Sequence, residues 1–334
     1  MKDKYGKKFV LIYGFGYSGS GAVLDMLKEY QHVKINKAFF SIIKDPYGII
    51  DLENSLVNNW DFVKSSIALD DFRWLCKKCA QGSKNYLKPS GLDLSSKINK
   101  NFVEISNDFC DSLVTFRYKC WNEITDFKSQ YFANILNRLI RVLNRRLHLP
   151  VDVKDQMSFI SITKEVFYEK TQDYINKLFG NYSDEDWVVL DHHPLPVQFG
   201  DKLNCYFGEN AKMIVVDRDP RGIYFDLVTH NNRLGQELAK KNDWKLYCEW
   251  HKALRRNLPK NDNILYLKFE DLIFNYEQKE KEIAEFLGLD LSWHIDKFSH
   301  FDPKVSIKNV NLWEKSSEKI PPKVFENIKT ELNL

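Results

Sequence analysis

The sequence predicts an α/β fold, a central parallel sheet flanked by helices, with its chemistry along the carboxyl edge of the strands. Two observations carry this. Short continuous apolar runs rich in β-formers recur along the chain, and each gives way at once to polar or glycine-rich residues. A strand buried on both faces reads as such a run, and open α/β sheets hold ligands beyond the carboxyl ends of their strands.

The first run is Phe9-Val-Leu-Ile-Tyr13. It ends in the turn Gly14 to Gly21, after which Ala22, Val23, Met26, Leu27 and Tyr30 take helical spacing. The pattern recurs at Trp187–Leu190 before Asp191-His-His-Pro194, and at Met213–Val216 before Asp217-Arg-Asp-Pro220. A fourth run, Ile264–Leu267, precedes the helix starter Glu270-Asp271-Leu272. Asp45-Pro-Tyr-Gly48 reads as a turn from which Asp45 could reach a second substrate.

Between 52 and 183 the pattern changes to longer amphipathic stretches, at Asn54 to Ile67, Ser129 to Leu147 and Thr163 to Phe179. With no Pro/Gly/Ser-rich linker at its edges, this segment is expected to be a helical insertion or lid within one domain spanning 1–334. No internal repeat appears.

Composition bounds the partners. The 49 basic residues nearly cancel the 46 acidic ones, giving a formal charge of +3, so no broad basic face for nucleic acid is expected and any anion site must be local. The Lys-bearing N-terminus runs into too short an apolar stretch for a secretory leader, and no stretch suits a membrane span, so a cytoplasmic location is expected. Six irregularly spaced Cys read as reduced thiols. Cys76-Lys-Lys-Cys79 lacks the second ligand pair of a zinc site, and no metal is expected. The basic stretch Arg138 to Arg146 reads as a solvated helix face, with contact to an anionic acceptor as the alternative.

The turn Gly14-Phe-Gly-Tyr-Ser-Gly-Ser-Gly21 concentrates four Gly and two Ser between a strand and a helix. Glycine permits positive φ and close backbone approach, so consecutive N–H groups can converge on phosphate or sulfate at the positive end of the helix. The nucleoside-triphosphate pattern G-x-x-x-x-G-K-[ST] fits Gly14 and Gly19 but then fails at Ser20 and Gly21, removing both the lysine and the Mg²⁺-binding hydroxyl.

The turn resembles the 5′-phosphosulfate loop of the sulfotransferases, reading here Tyr17-Ser-Gly-Ser-Gly21. Met213-Ile-Val-Val-Asp-Arg-Asp-Pro-Arg-Gly-Ile-Tyr224 is similar to the segment that binds the donor's 3′-phosphate in that family. Leu265–Leu272 and Phe286–Leu289 resemble two further family motifs, and Ile307–Trp313 resembles the basic segment and Trp that close over the nucleotide. The matches come in family order.

The resemblance implies a P-loop-like three-layer fold. It also implies a donor, 3′-phosphoadenosine 5′-phosphosulfate, released as adenosine 3′,5′-bisphosphate, and transfer of a sulfuryl group to a small-molecule or glycan acceptor. Gly16, Tyr17, Ser18, Gly19, Ser20, Gly21 and Ala22 would hold the phosphosulfate, and Arg218, Lys308 and Asn309 the 3′-phosphate end. His193, by its place before Pro194, would be the base that takes the acceptor proton, with His192 the alternative.

Two positions depart from the family pattern. Tyr17 stands where Lys or Arg is usual, so another cation must neutralise the leaving oxygen. Asp226 stands where a Ser touches the 3′-phosphate, and its carboxylate would repel that group; either Thr229 or Arg233 takes over, or the nucleotide sits differently. Alternatives are a P-loop phosphotransferase and a nucleotide-binding protein without catalysis.

Overall fold

The computed structural model describes residues 7–82, 91–119, 156–183, 186–230, 243–315 and 320–334, with positions 135, 139, 142, 143 and 146 between them. Its strands are β1 (Lys8–Gly14), β2 (Val33–Asn36), β3 (Phe116–Lys119), β4 (Gln156–Phe159), β5 (Trp187–Leu190), β6 (Lys212–Asp217) and β7 (Ile264–Lys268). Five of them form one sheet in the order β2-β5-β1-β6-β7, every neighbouring pair parallel, while β3 and β4 make a separate antiparallel pair.

The first helices are α1 (Ser20–Leu27), α2 (Ile49–Glu53), α3 (Phe62–Ala80), α4 (Leu94–Lys97), α5 (Phe102–Ser112) and α6 (Lys164–Leu178). After β5 come α7 (Leu203–Phe207), α8 (Pro220–Thr229), α9 (Trp244–Leu254), α10 (Phe269–Phe274), α11 (Tyr276–Leu287), α12 (Pro303–Ser306) and α13 (Pro322–Leu332). Among the described residues no helix is long and apolar enough to cross a membrane.

The four apolar runs named from the sequence are β1, β5, β6 and β7, and all lie in the parallel sheet. Side chains of β1 alternate between its faces, as a pleated strand requires. Phe9, Leu11 and Tyr13 join a core with α3, α5 and α6, while Val10 and Ile12 join a second core with α1 and α11. Both faces are therefore covered, which is why the run is unbroken by polar residues. A third cluster joins α8, α9 and α13.

The stretch Asn54 to Ile67 is not one helix. A π-helical turn at Asn54–Asn58 follows α2, and the chain then breaks before α3. The cause is local: the Asp61 carboxylate accepts the Val63 and Lys64 N–H groups and so starts a new helix. Trp60 holds the break by donating its indole N–H to the Ile160 carbonyl at 2.7 Å. Thr163 to Phe179 is α6 with its two caps, Thr163 accepting from the Val166 N–H. Most of Ser129 to Leu147 lies outside the described residues, including Arg138, Arg141 and Arg145; Arg146 is exposed.

Candidate functional site

The central strand β1 ends between β5 and β6, with Gly14 level with Val216. The chain then doubles over its own end. A Cβ on Gly14 would lie 2.6 Å from Ser18 Oγ and 2.8 Å from Ser20 Oγ, so only glycine lets the turn close. Ser18 is buried and accepts the Phe15 N–H at 3.0 Å, which makes it the internal brace of the turn.

Gly16, Tyr17 and Gly19 all take positive φ, at 77°, 53° and 87°. A Cβ on Gly19 would overlap the ring of Phe269, the first residue of α10. Gly19 caps α1 without a side-chain bond, and the Ala22 N–H returns to the Gly19 carbonyl at 2.9 Å. The opening N–H groups of a helix have no intrahelical acceptor, so this end of α1 presents donors and positive potential.

On the other side of the cleft, Arg218 follows β6. One of its terminal nitrogens donates to Asp226 at 2.6 Å and to the Tyr17 carbonyl at 3.0 Å; the other donates to the Asn309 carbonyl at 2.5 Å. One guanidinium thus ties the turn, α8 and the 307–309 segment together. Asp219 caps α8 through the Arg221 N–H, pairs with the Arg221 side chain, and gives its own N–H to Glu270. Burial lifts the Glu270 carboxyl above its ordinary value. The Arg221 guanidinium lies 4.2 Å from the centre of the Trp313 ring, holding the late segment against α8.

Between these walls is a cavity of about 370 Å³ lined by the turn and α1 (Tyr17, Gly19, Gly21, Ala22), Arg218, Asp226, His230, Phe269, and Phe301 and Asn309 among others. Seven residues singled out from the sequence therefore meet on it: Tyr17, Gly19, Gly21, Ala22, Arg218, Asp226 and Asn309. Gly16, Ser18, Ser20 and Lys308 belong to the same segments but not to its lining. Thr229 turns back on its own helix, donating to the Phe225 carbonyl at 2.8 Å, and Arg233 lies outside the described residues.

His192 and His193 stand apart from this cavity, at the end of β5, both with positive φ. His193 packs edge-on against Tyr13 with ring centres 4.5 Å apart, beside the β1 terminus. Burial pulls its pKa below the ordinary histidine value, Asp191 opposes that, and Lys44 adds to it. A neutral imidazole can accept a proton. His192 is exposed and stacks on Phe39 at 5.1 Å. Asp45 is held in its turn by the Ser41 hydroxyl and the Gly48 N–H.

Three site residues were invisible in the sequence. His230 packs against Tyr17 at a tilt of 30° with ring centres 5.3 Å apart, and the only sequence signal was its place four residues after Asp226, at the end of α8. Arg255 pairs with Asp217 through two nitrogens at 2.8 and 2.6 Å and lies 4.0 Å above the Phe15 ring. Glu29, just beyond α1, accepts the N–H groups of Phe298, His300 and Phe301 and one ring nitrogen of His294, whose other nitrogen meets Glu280. Although burial acts to raise it, these donors hold the Glu29 carboxyl below its usual range.

Comparison with known proteins gives one family match. The family profile described as "Sulfotransferase domain" matches residues 148–321, which takes in β5 to α12 and the Arg218 wall but not the glycine-rich turn. No curated protein matches. Among solved structures, similarity extends to a sulfotransferase domain from the Synechococcus PCC 7002 olefin synthase, at 13% identity over 99% of this chain and 90% of that one, with a TM-score of 0.40. A sulfotransferase from Mycobacterium avium is 12% identical over 99% of this chain and 77% of that one, with a TM-score of 0.37. The sulfotransferase domain from the curacin biosynthetic pathway is 13% identical over 98% and 97% of the two chains, with a TM-score of 0.39.

Proposed function

The chain belongs to the sulfotransferase domain family, and from that premise we propose that it transfers a sulfuryl group from 3′-phosphoadenosine 5′-phosphosulfate to an acceptor hydroxyl. The observation that carries this reading is the cavity in which the N-terminal end of α1 faces Arg218 and Asn309. A bisphosphorylated nucleotide needs two separate anion sites, and helix-end amides at one wall with a guanidinium at the other supply both. Glycines at 14, 16 and 19 let the turn fold tightly enough to bring the start of α1 to that wall.

The donor supplies the sulfuryl group. This chain's residues would hold and polarise it: the turn and the first amides of α1, with Ala22 packed at the same end, at the phosphosulfate, Arg218 at the 3′-phosphate, and the indole of Trp313 closing from the late segment. Transfer of an anionic group needs positioned donors more than a covalent intermediate. His193, kept neutral by burial beside Tyr13, would take the acceptor proton. The cation missing at Tyr17 would have to come from near the end of β1, where Lys44 lies beside His193 and Arg255, paired with Asp217, lies over Phe15. Residues 52–183 would form the lid that shapes the acceptor pocket of one domain, and a glycan suits its aromatic content.

The test is a thermal-shift comparison of adenosine 3′,5′-bisphosphate with ATP plus Mg²⁺, followed by transfer from labelled donor to a panel of glycan and small-molecule acceptors. A ligand that binds only the folded state raises its stability by mass action. Stabilisation by ATP plus Mg²⁺ but not by the bisphosphate would replace this reading with phosphoryl transfer.

A further inference from the structure

The described side chains that line the cavity carry carboxylates beside its anion-binding groups. Among the described residues its lining holds one permanent cation, Arg218, against two carboxylates, Asp226 and Asp25, with His230 and His300 beside them. Asp25 is met by Lys28 at 2.5 Å. Asp226 is shared between the Arg218 guanidinium and His230, whose Nδ1 lies 3.6 Å from its carboxylate and donates to its backbone carbonyl at 2.9 Å. That bond places a proton on Nδ1 and makes Nε2 the deciding atom. Neutral, Nε2 offers a lone pair and repels a phosphate; protonated, it becomes a charged donor. The ring also packs against Tyr17, tilted by 30° with centres 5.3 Å apart.

Resting on the nucleotide reading above, we infer that His230 is the residue that offsets Asp226. Its imidazolium sits between the Asp226 carboxylate and the nucleotide's 3′-phosphate, so the site takes up one proton from solvent as the nucleotide binds. Among the described residues, the groups that face this imidazole are Asp226 and Thr229 on the helix it caps, Tyr17 from the turn and Arg218 from the end of β6. Across the cavity are Asp25 from α1 and His300 from the segment before α12. Among the described lining residues, carboxylates outnumber cations while both histidines are neutral; protonating both reverses that balance.

The sign distinguishes this from the ligand's own titration. A phosphomonoester gains its second negative charge near pH 6, so on Arg218 alone the nucleotide would bind more tightly as pH rises. With a protonated His230 as the second donor, affinity falls as pH rises, because losing that proton removes the donor.

Calorimetric titration of the full chain with adenosine 3′,5′-bisphosphate, at about pH 6 and about pH 8 in buffers of different ionisation enthalpy, measures both affinity and protons taken up. We expect binding about tenfold weaker at the higher pH, with net proton uptake between. His230→Gln should abolish both effects and keep the parent's ligand-free melting curve; His300→Gln should keep them. Adenosine 5′-monophosphate, lacking the 3′-phosphate, should show neither. The inference is overturned if the dependence survives His230→Gln, vanishes in His300→Gln, or is shared by the monophosphate. Equal bisphosphate affinity at both pH values removes His230 alone, whereas no binding at either removes the donor reading with it.

Discussion

Arg218 and Asp226 form a buried ion pair, 2.6 Å apart with side chains 6% and 10% exposed, on the wall of the very cavity that an anion would enter. The pair spans the turn from β6 into α8, and the same guanidinium reaches the Tyr17 and Asn309 carbonyls. Its arginine is therefore a structural joint as well as a cation.

Removing the carboxylate should test that dual role. Asp226→Asn leaves a buried guanidinium without its counter-ion, a loss of about 3–5 kcal/mol for pairs of this kind. Thermal melting should show the drop, and adenosine 3′,5′-bisphosphate should recover more of it than it adds to the parent. An unchanged melting temperature would mean the pair is not holding the three segments together.

The assignment of the base is separable from donor binding. His193→Gln should lower the transfer rate by about 10²–10⁴-fold, the usual contribution of a positioned general base, while bisphosphate affinity stays near the parent value. Burial and Lys44 lower the His193 pKa, so the acid limb of the parent's pH–rate profile should lie below the ordinary histidine value. His192→Gln, at an exposed position, should change the rate little. If His192→Gln is the slow variant, the two roles exchange.

Acid stability should report on His251. Burial, reinforced by Arg255, pulls its pKa down to about 4, and its Nε2 has no hydrogen-bond partner among the described residues. The unfolded chain takes up this proton near pH 6.5, whereas the fold refuses it until about pH 4. Stability is thus full above about pH 6.5 and falls with acidification through that window, by about 3 kcal/mol from this group. His193, lowered too, adds to the same slope. Denaturant titrations across the window should show His251→Leu with a shallower loss; parallel curves would place its origin elsewhere.

Gly19→Ala should damage the turn twice over. Its φ of 87° is costly for any residue with a Cβ, by about 1–2 kcal/mol, and the added methyl would overlap the Phe269 ring. Bisphosphate affinity should collapse by more than the fall in stability accounts for, because the opening amides of α1 move with the turn. Retained affinity would show that those amides do not touch the nucleotide.

What the sequence disclosed follows from the physics of each element. Phe9–Tyr13 and Met213–Val216 are covered on both faces, so burial writes itself into an unbroken apolar run. β2 is shorter and only partly buried, with Lys34 exposed, and offers no comparable run. The glycine turn was legible because positive φ at Gly16 and Gly19 restricts the residue type. The family motifs were legible because strand ends deliver them in fixed order.

Pairings between distant segments leave no local mark. Asp226 looked like an intruder near a phosphate, and only the fold shows it engaged with Arg218 and His230. Arg255 sits in an ordinary amphipathic helix end, and nothing in its neighbours announces that it lies over Phe15. The break at Asn59–Asp61 was hidden in a continuous amphipathic pattern because one capping carboxylate outweighs periodicity.

Glu29 gives α1 a mechanical meaning. One end of that helix opens on the cavity through Gly21 and Ala22, while just past the other, Glu29 clasps the amides of His300 and Phe301, which line the same cavity. The eight residues of α1 therefore act as a caliper about 12 Å long that gauges the gap between floor and wall. Inserting a single residue would swing Glu29 by about 100° around the helix axis and release the wall it carries.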